Sequence, residues 1–204
     1  MKYKITTLLC LIAFAINAQD LSEWRIGSSY LFTYEKYEND RYDERGSFFI
    51  EKPFRFDFLK NLEISPGINF KQLYENYTSR GLGAGIHKEV KHYSLGVYTK
   101  ATYSILNSSS MNLYFGGLLA THIYTEERGT YSSWPVSGKY NNNGNKSRAY
   151  NDIYYAGLIG FEWKTKSWIH PSFEVRYLPD YAKNNYDKIQ FIELALQFRL
   201  KNSN

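Results

Sequence analysis

The feature that most limits what this chain can fold into is a period-two alternation of apolar with small or polar residues, repeated in eight segments of the 204-residue sequence. The segments run approximately Glu23–Tyr34, Phe48–Leu59, Leu62–Leu73, Val90–Ile105, Met111–Thr125, Ile153–Trp163, Trp168–Leu178 and Ile189–Leu200. Successive side chains of a strand point to opposite faces, so a period of two predicts β-strands; none of the segments sustains a helical period. The chain is therefore read as all-β. Alternation is clearest where Phe54, Phe56 and Phe58 oppose Arg55 and Asp57, and in the last segment, where Ile192, Leu194, Leu196, Phe198 and Leu200 oppose Glu193, Ala195, Gln197 and Arg199. In the seventh, Ile169, Phe173, Val175 and Tyr177 oppose His170, Ser172, Glu174 and Arg176. A strand with one apolar and one charged face separates two environments.

The connections alternate too. Glu35–Ser47, Tyr74–Glu89, Glu126–Asp152 and Pro179–Lys188 are long; Lys60-Asn61, Asn107–Ser110 and Lys164–Ser167 are short. Antiparallel neighbours joined in a meander put all long connections at one end and all short ones at the other. With strands of about ten residues, that asymmetry is the pattern of a bacterial transmembrane barrel, with short periplasmic turns and long extracellular loops.

Alternation alone does not distinguish a membrane barrel from a soluble lipocalin-like binder, whose apolar face points inward. The polar face does. It carries small residues (Gly27, Ser29, Ser65, Gly67, Ser94, Gly96, Gly116, Ala120, Ala156, Gly160, Ala195) beside charges of both signs (Arg25, Arg55, Asp57, Glu63, Lys71, Lys100, Glu162, Glu174, Arg176, Glu193, Arg199). A narrow lumen, where space is short and buried charges must pair, needs that mixture. Trp163 and Trp168 flank a short turn, and Tyr30, Phe32, Tyr34, Tyr74, Tyr124, Tyr154, Tyr155 and Tyr177 sit near the long-loop ends, as two interfacial belts would.

Met1–Ala18 reads as a cleaved secretory signal peptide: Lys2 and Lys4, an apolar run Leu8–Ile16, and a small residue at the cut. Residues 19–204 then form one barrel domain. The single Cys, Cys10, lies in the leader and no small residue precedes it, which argues against a lipid anchor and leaves the mature chain without thiol chemistry. Removing the two lysines lowers the net charge from +5 to +3, without any basic block, so nucleic acid is not indicated. No mature stretch approaches the roughly 20 apolar residues of a spanning helix.

With these strands, faces and loops, residues Leu21–Leu200 resemble the small OmpA/OmpX-type outer-membrane β-barrels of Gram-negative bacteria. The resemblance implies an eight-stranded antiparallel up-and-down barrel in the outer membrane, in contact with outer-membrane lipid and inserted by the barrel-assembly machinery. That family typically ends on an aromatic residue; here Phe198, on the expected lipid face, is followed by six further residues.

Chemistry is harder to place. His170-Pro171-Ser172 with Glu174 resembles the His-x-Ser spacing of lipid A deacylase barrels, where His, Ser and an acid attack a lipid ester, and alternation puts all three on one face. That face is the expected lumen, however, and Phe173 replaces the Asn that follows Ser in that family. The expectation is thus no enzyme and a structural charge network of Arg55, Asp57, Glu162, Glu174, Arg176, Glu193 and Arg199. Its expected pairs are Arg55 with Asp57 and Glu174 with Arg176 along strands, and Arg199 with Glu174 or Glu193 with Arg176 across them. Such pairs would fill the bore and make a wide pore improbable, although a small channel stays open as an alternative. His87, His92 and His122 lack metal-ligand spacing, and Gly81–Gly85 lacks the Lys and helix of a phosphate loop. No metal or cofactor is expected. The expected interface aromatics are Trp163, Trp168, Tyr30, Tyr34, Tyr124, Tyr177 and Phe198. Function is expected to be structural or surface interaction, with loop Glu126–Asp152 and its Tyr131, Trp134, Tyr140 and Tyr150 meeting an extracellular or envelope protein partner.

Overall fold

The computed structural model describes residues 23–32, 40–56, 59–81, 84–133, 136–143, 153–183 and 188–200. The leader with its cleavage site, Tyr34 and Asp57 lie outside these described residues. In chain order the strands are β1 (Trp24–Phe32), β2 (Asp40–Glu51), β3 (Phe54–Phe56), β4 (Leu59–Gly81), β5 (Ala84–Asn107), β6 (Met111–Ser133), β7 (Val136–Asn143), β8 (Ile153–Trp163), β9 (Ile169–Lys183) and β10 (Lys188–Leu200). Strands β1, β2, β4, β5, β6, β8, β9 and β10 pair antiparallel, each with the next, and β10 returns to β1 in register from Trp24↔Leu200 to Phe32↔Ile192. The eight-stranded barrel is closed. Closure removes the free sheet edges, whose row of unpaired backbone groups hydrocarbon does not tolerate.

Burial alternates strictly, and its sense is inverted relative to a soluble protein. In β8 Tyr154, Ala156, Leu158, Gly160 and Glu162 are buried, whereas Ile153, Tyr155, Ile159 and Trp163 are exposed. Ile26, Phe48, Ile68, Phe115, Leu119, Phe173 and Leu196 likewise face outward, while Arg25, Lys100, Glu174 and Arg199 are nearly inaccessible. A lipocalin-like arrangement requires the opposite. The exposed belt is matched instead to hydrocarbon, with Trp163 and Trp168 at the short-turn end and Tyr30, Tyr124, Tyr155 and Tyr177 towards the other. Phe198 faces outward as expected, but Tyr154 does not belong to a belt: it is wholly buried in the lumen.

Two expectations fail for physical reasons. The strand expected at Phe48–Leu59 ends at Glu51. Lys52 N donates its hydrogen bond to the Pro66 carbonyl, Pro53 has no N–H to continue the ladder, and Phe54–Phe56 is only a short hairpin stub paired with the start of β4. Phe54 is buried rather than lipid-facing, and Lys60-Asn61 is strand rather than turn. In place of the expected aromatic row, Phe48 and Ile50 meet lipid and Ser47, Phe49 and Glu51 point inward.

The second failure concerns the long loops. Much of Tyr74–Glu89, Glu126–Asp152 and Pro179–Lys188 is strand: β4 and β5 remain paired out to Gly81↔Ala84, β6 continues into a hairpin with β7, and β9 with β10 out to Lys183↔Lys188. Asp40–Glu44, expected in the first loop, likewise pairs with β4. Register shifts mark where wall becomes ribbon. An extra residue in β6, between the partners of Leu95 and Gly96, turns Ile123 and Tyr124 both outward, and a second irregularity separates Ile189 from Phe191.

The inverted faces make one prediction. Ile159 is 51% exposed at the middle of β8, so in water Ile159→Arg would be almost neutral. Facing hydrocarbon, it should destabilise the barrel by about 2–4 kcal/mol, measured as a lowered urea midpoint for folding into lipid vesicles.

Candidate functional site

The lumen is built from side chains contributed by every barrel strand. Arg25 comes from β1, Glu51 from β2, Glu63 and Lys71 from β4, Lys100 from β5, Tyr114 from β6, Glu162 from β8, Glu174 and Arg176 from β9, and Glu193, Gln197 and Arg199 from β10. Five buried cations, Arg25, Lys71, Lys100, Arg176 and Arg199, thus meet five buried carboxylates, Glu51, Glu63, Glu162, Glu174 and Glu193. Each buried ion costs several kcal/mol in lost hydration, so equal numbers and close pairing are what make the arrangement tolerable.

The pairs form one continuous ladder. Arg199 contacts Glu63 at 2.8 Å and Glu162 at 2.9 Å; Arg25 contacts the same two at 2.5 and 3.3 Å and Glu51 at 3.2 Å. Lys100 joins Glu51, at 2.6 Å, to Glu174, at 2.7 Å. Arg176 joins Glu174, at 2.6 Å, to Glu193, at 3.5 Å, and Lys71 closes the series on Glu193 at 3.2 Å. Neutral groups fill the remaining acceptor positions: Tyr98 donates to Glu51 at 2.9 Å, Tyr114 to Glu174 at 3.0 Å, and Ser29 to Glu193.

Two tyrosines fit because of what faces them. Tyr98 lies directly across from Gly67 and Tyr114 directly across from Gly160, and a Cβ on either glycine would fall inside the opposing ring. The glycines are needed for this close approach, whatever their backbone angles.

Beyond Lys71 the lumen is filled largely by aromatic and aliphatic side chains, with His92 and His122 buried among them. The Lys71 ammonium sits 5.3 Å from the Tyr154 ring centre and 4.8 Å from that of Tyr181, His122 stacks on Tyr154 at 5.0 Å, and Tyr181 packs edge-on against Phe191. Leu31, Leu73, Val90 and Leu178 complete this buried layer. At the opposite, short-turn end the ladder opens into a polar cavity of about 200 Å³.

The structure brings together most of the expected network. Glu174 pairs with Arg176 and Arg176 with Glu193, as expected. Arg199 does not reach Glu174; it lies opposite His170 in the register, one step nearer the short-turn end, and binds Glu23, Glu63 and Glu162. Arg55 is half-exposed at the rim and contacts Glu63 at 3.2 Å, while Asp57 lies outside the described residues. Glu51, Tyr98 and Tyr114 escaped the sequence reading, although each lies in phase with a luminal residue that was recognised; Gln197 was placed on the luminal face but not in the network, where it lies 3.4 Å from Lys100.

His170, Ser172 and Glu174 do share the luminal face, all buried. They form no catalytic relay in this geometry: the Glu174 carboxylate is taken by Lys100, Arg176 and Tyr114, His170 Nδ1 is 3.9 Å from Glu162, and Ser172 Oγ makes no hydrogen bond among the described residues. Among the described residues no three His, Asp or Glu side chains are grouped to hold a metal.

Known structures with a similar fold include neisserial surface protein A (13% identity, TM-score 0.48, 88% of this chain and 96% of that one covered). Two others are Ail, the attachment invasion locus protein of Yersinia pestis (16%, 0.43, 88% and 97%), and the N-terminal β-barrel domain of Pseudomonas aeruginosa OprF (12%, 0.37, 88% and 98%). At these identities the likeness concerns fold alone. No protein-family model and no curated protein matches the sequence. The closed register and the inverted faces establish an eight-stranded antiparallel β-barrel with an apolar exterior and a charged lumen, the arrangement that a membrane-spanning barrel requires.

The ladder predicts a sharp cost for removing one charge. Glu174→Gln keeps the shape but leaves Lys100 and Arg176 short of a counter-ion, and should cost about 3–5 kcal/mol; urea unfolding of the vesicle-embedded barrel measures it.

Proposed function

We propose that this protein is a non-enzymatic, non-conducting outer-membrane barrel that holds an external β-ribbon sheet at the cell surface for contact with an extracellular or envelope protein partner. The observation that carries the reading is the contrast between the two halves of the molecule. All eight strands send side chains into the bore and fill it with a charge-neutral ladder capped by an aromatic layer, whereas β4 and β5 run on as a paired ribbon for eight residues past Leu73. At about 3.3 Å per residue that ribbon reaches roughly 25 Å beyond the last luminal layer. Beside it the β6–β7 hairpin carries Tyr131, Tyr140, Arg128 and Lys139, a composition suited to macromolecular contact. A barrel whose described lumen is filled by side chains leaves contact with a partner to these ribbons.

Three outcomes follow. The purified protein should be silent in planar bilayers; steady single-channel steps would replace this reading with the small channel. Ser172→Ala should leave lipid A acylation unchanged in intact cells, and a change would restore the lipid-enzyme alternative. Replacing residues 130–139 by a two-residue turn should leave a heat-modifiable barrel in the outer membrane while removing whatever adherence or autoaggregation separates the wild type from a deletion strain. Full complementation by that shortened protein would sink the surface-contact reading.

A further inference from the structure

The ladder is balanced along its length, but its short-turn end is not. Among the described residues, the cavity of about 200 Å³ there is lined by five cations, Arg25, Arg55, Lys60, Lys164 and Arg199, and by two carboxylates, Glu63 and Glu162. The surplus comes from the rim. Arg55 is half-exposed and shares Glu63 with Arg25 and Arg199, Lys60 is exposed, and Lys164 is held in place by donating to Asn107 and, at 2.5 Å, to the Ser108 carbonyl. Even with Glu23 and Glu51, which lie behind Arg199 and Arg25, the described cations at this mouth outnumber the described carboxylates, five to four.

Two deeply buried atoms on the cavity wall also have no hydrogen-bond partner among the described residues. Asn112 is 7% exposed and its Oδ1 makes no hydrogen bond among the described residues; Arg25 is 2% exposed and the same holds for its Nε. Buried polar atoms are almost always satisfied, so an unsatisfied pair lining one polar cavity marks a place where something else supplies the partner. Water would serve an uncharged cavity, but it does not offset an excess of positive charge enclosed by protein walls, where fields are focused rather than screened.

We propose that the periplasmic mouth of the barrel binds a small organic anion that carries carboxylate or phosphate groups together with a hydroxyl. Guanidinium forks match either oxyanion through paired hydrogen bonds, and Arg55 and Lys60 can close over it from the rim. The hydroxyl donates to Asn112 Oδ1, which a simple oxyanion leaves unsatisfied. The volume is that of six or seven waters at about 30 Å³ each, enough for a hydroxy-acid or a short phosphorylated polyol and too small for a polymer. This site faces away from the external ribbons and is independent of the role proposed for them.

Isothermal titration of the refolded barrel in zwitterionic micelles tests it, with citrate, tricarballylate (citrate without its hydroxyl) and glycerol 3-phosphate as probes and sodium chloride as the ionic-strength control. Saturable one-site binding of citrate or glycerol 3-phosphate is expected, and whichever binds more tightly fixes the class as carboxylate or phosphate. The double variant Arg55→Ala/Lys60→Ala, which keeps all five buried ladder cations and removes only the rim contact to Glu63, should weaken that binding by about tenfold or more, equivalent to about 1.4 kcal/mol. Lys91→Ala/Arg128→Ala removes the same charge at the opposite end of the barrel and should change nothing. Citrate should outbind tricarballylate, and Asn112→Ala should erase that preference. Absence of saturable heat, equal weakening by both double variants, or a response reproduced by chloride would each overturn the site.

Discussion

Everything in this structure depends on the absence of water around the wall. A strand edge in hydrocarbon leaves a row of N–H and C=O groups without partners, at several kcal/mol each, so the sheet must close on itself. The seam is the ladder between β1 and β10, nine residue pairs long, which ties the first described strand to the last. Closure at eight strands then leaves an interior only wide enough for side chains, and the residues that point into it cannot be chosen freely.

The luminal composition follows from that restriction. Two of the bulkiest rings are admitted because glycines face them, Tyr98 opposite Gly67 and Tyr114 opposite Gly160. The five ladder carboxylates are all glutamates, and their partners are the two longest cationic side chains, arginine and lysine. Reach explains the choice: charges anchored on different walls must meet near the axis, as Arg25 on β1 meets Glu162 on β8, and an aspartate ends one methylene short. Because most of these groups contact more than one counter-ion, the ladder also joins strands that share no backbone pairing. Lys100 on β5, for example, is tied to Glu51 on β2 and to Glu174 on β9. Side chains thereby cross-brace a cylinder whose backbone bonds run only around the wall.

Much of this was legible in sequence, because period-two burial is written directly into the order of residues. The wall of β8, β9 and β10, the small-plus-charged lumen, the Glu174–Arg176–Glu193 cluster and the outward Trp163 all follow from phase alone, whereas Trp168, in phase with luminal His170, is placed by its seat at the short turn. What phase does not encode is where a strand leaves the membrane. The β4–β5 ribbon keeps pairing in water, so a polar stretch such as Tyr74–Gly81 reads as loop although it is strand. Conversely, the regular Phe54-Arg55-Phe56 alternation belongs to a stub that Pro53 cuts off from β2. Tyr154 was misplaced because an aromatic near a strand end suits both an interfacial belt and a luminal cap; only the phase shared with Ala156 and Gly160 separates them. The Arg199 partners depended on the vertical stagger between strands, and alternation carries no information about stagger.

The ladder ends differently at its two mouths, and the difference gives the barrel a direction. At the ribbon end its last cation, Lys71, has one carboxylate at 3.2 Å and two tyrosine ring faces within 5.3 Å, so the charge is satisfied on one side by Glu193 and on the other by π-electrons. That termination requires no water, and apolar Leu31, Leu73, Val90 and Leu178 can close directly over it. At the short-turn end the ladder stops at Arg199 and Glu63, with Arg55 reaching in from the rim, and the wall beyond is polar. A series of ion pairs can end against aromatic rings or against an aqueous cavity, and this barrel has one of each. The aromatic cap closes the lumen at the ribbon end, while the cavity leaves the same buried charges open to water at the short-turn end.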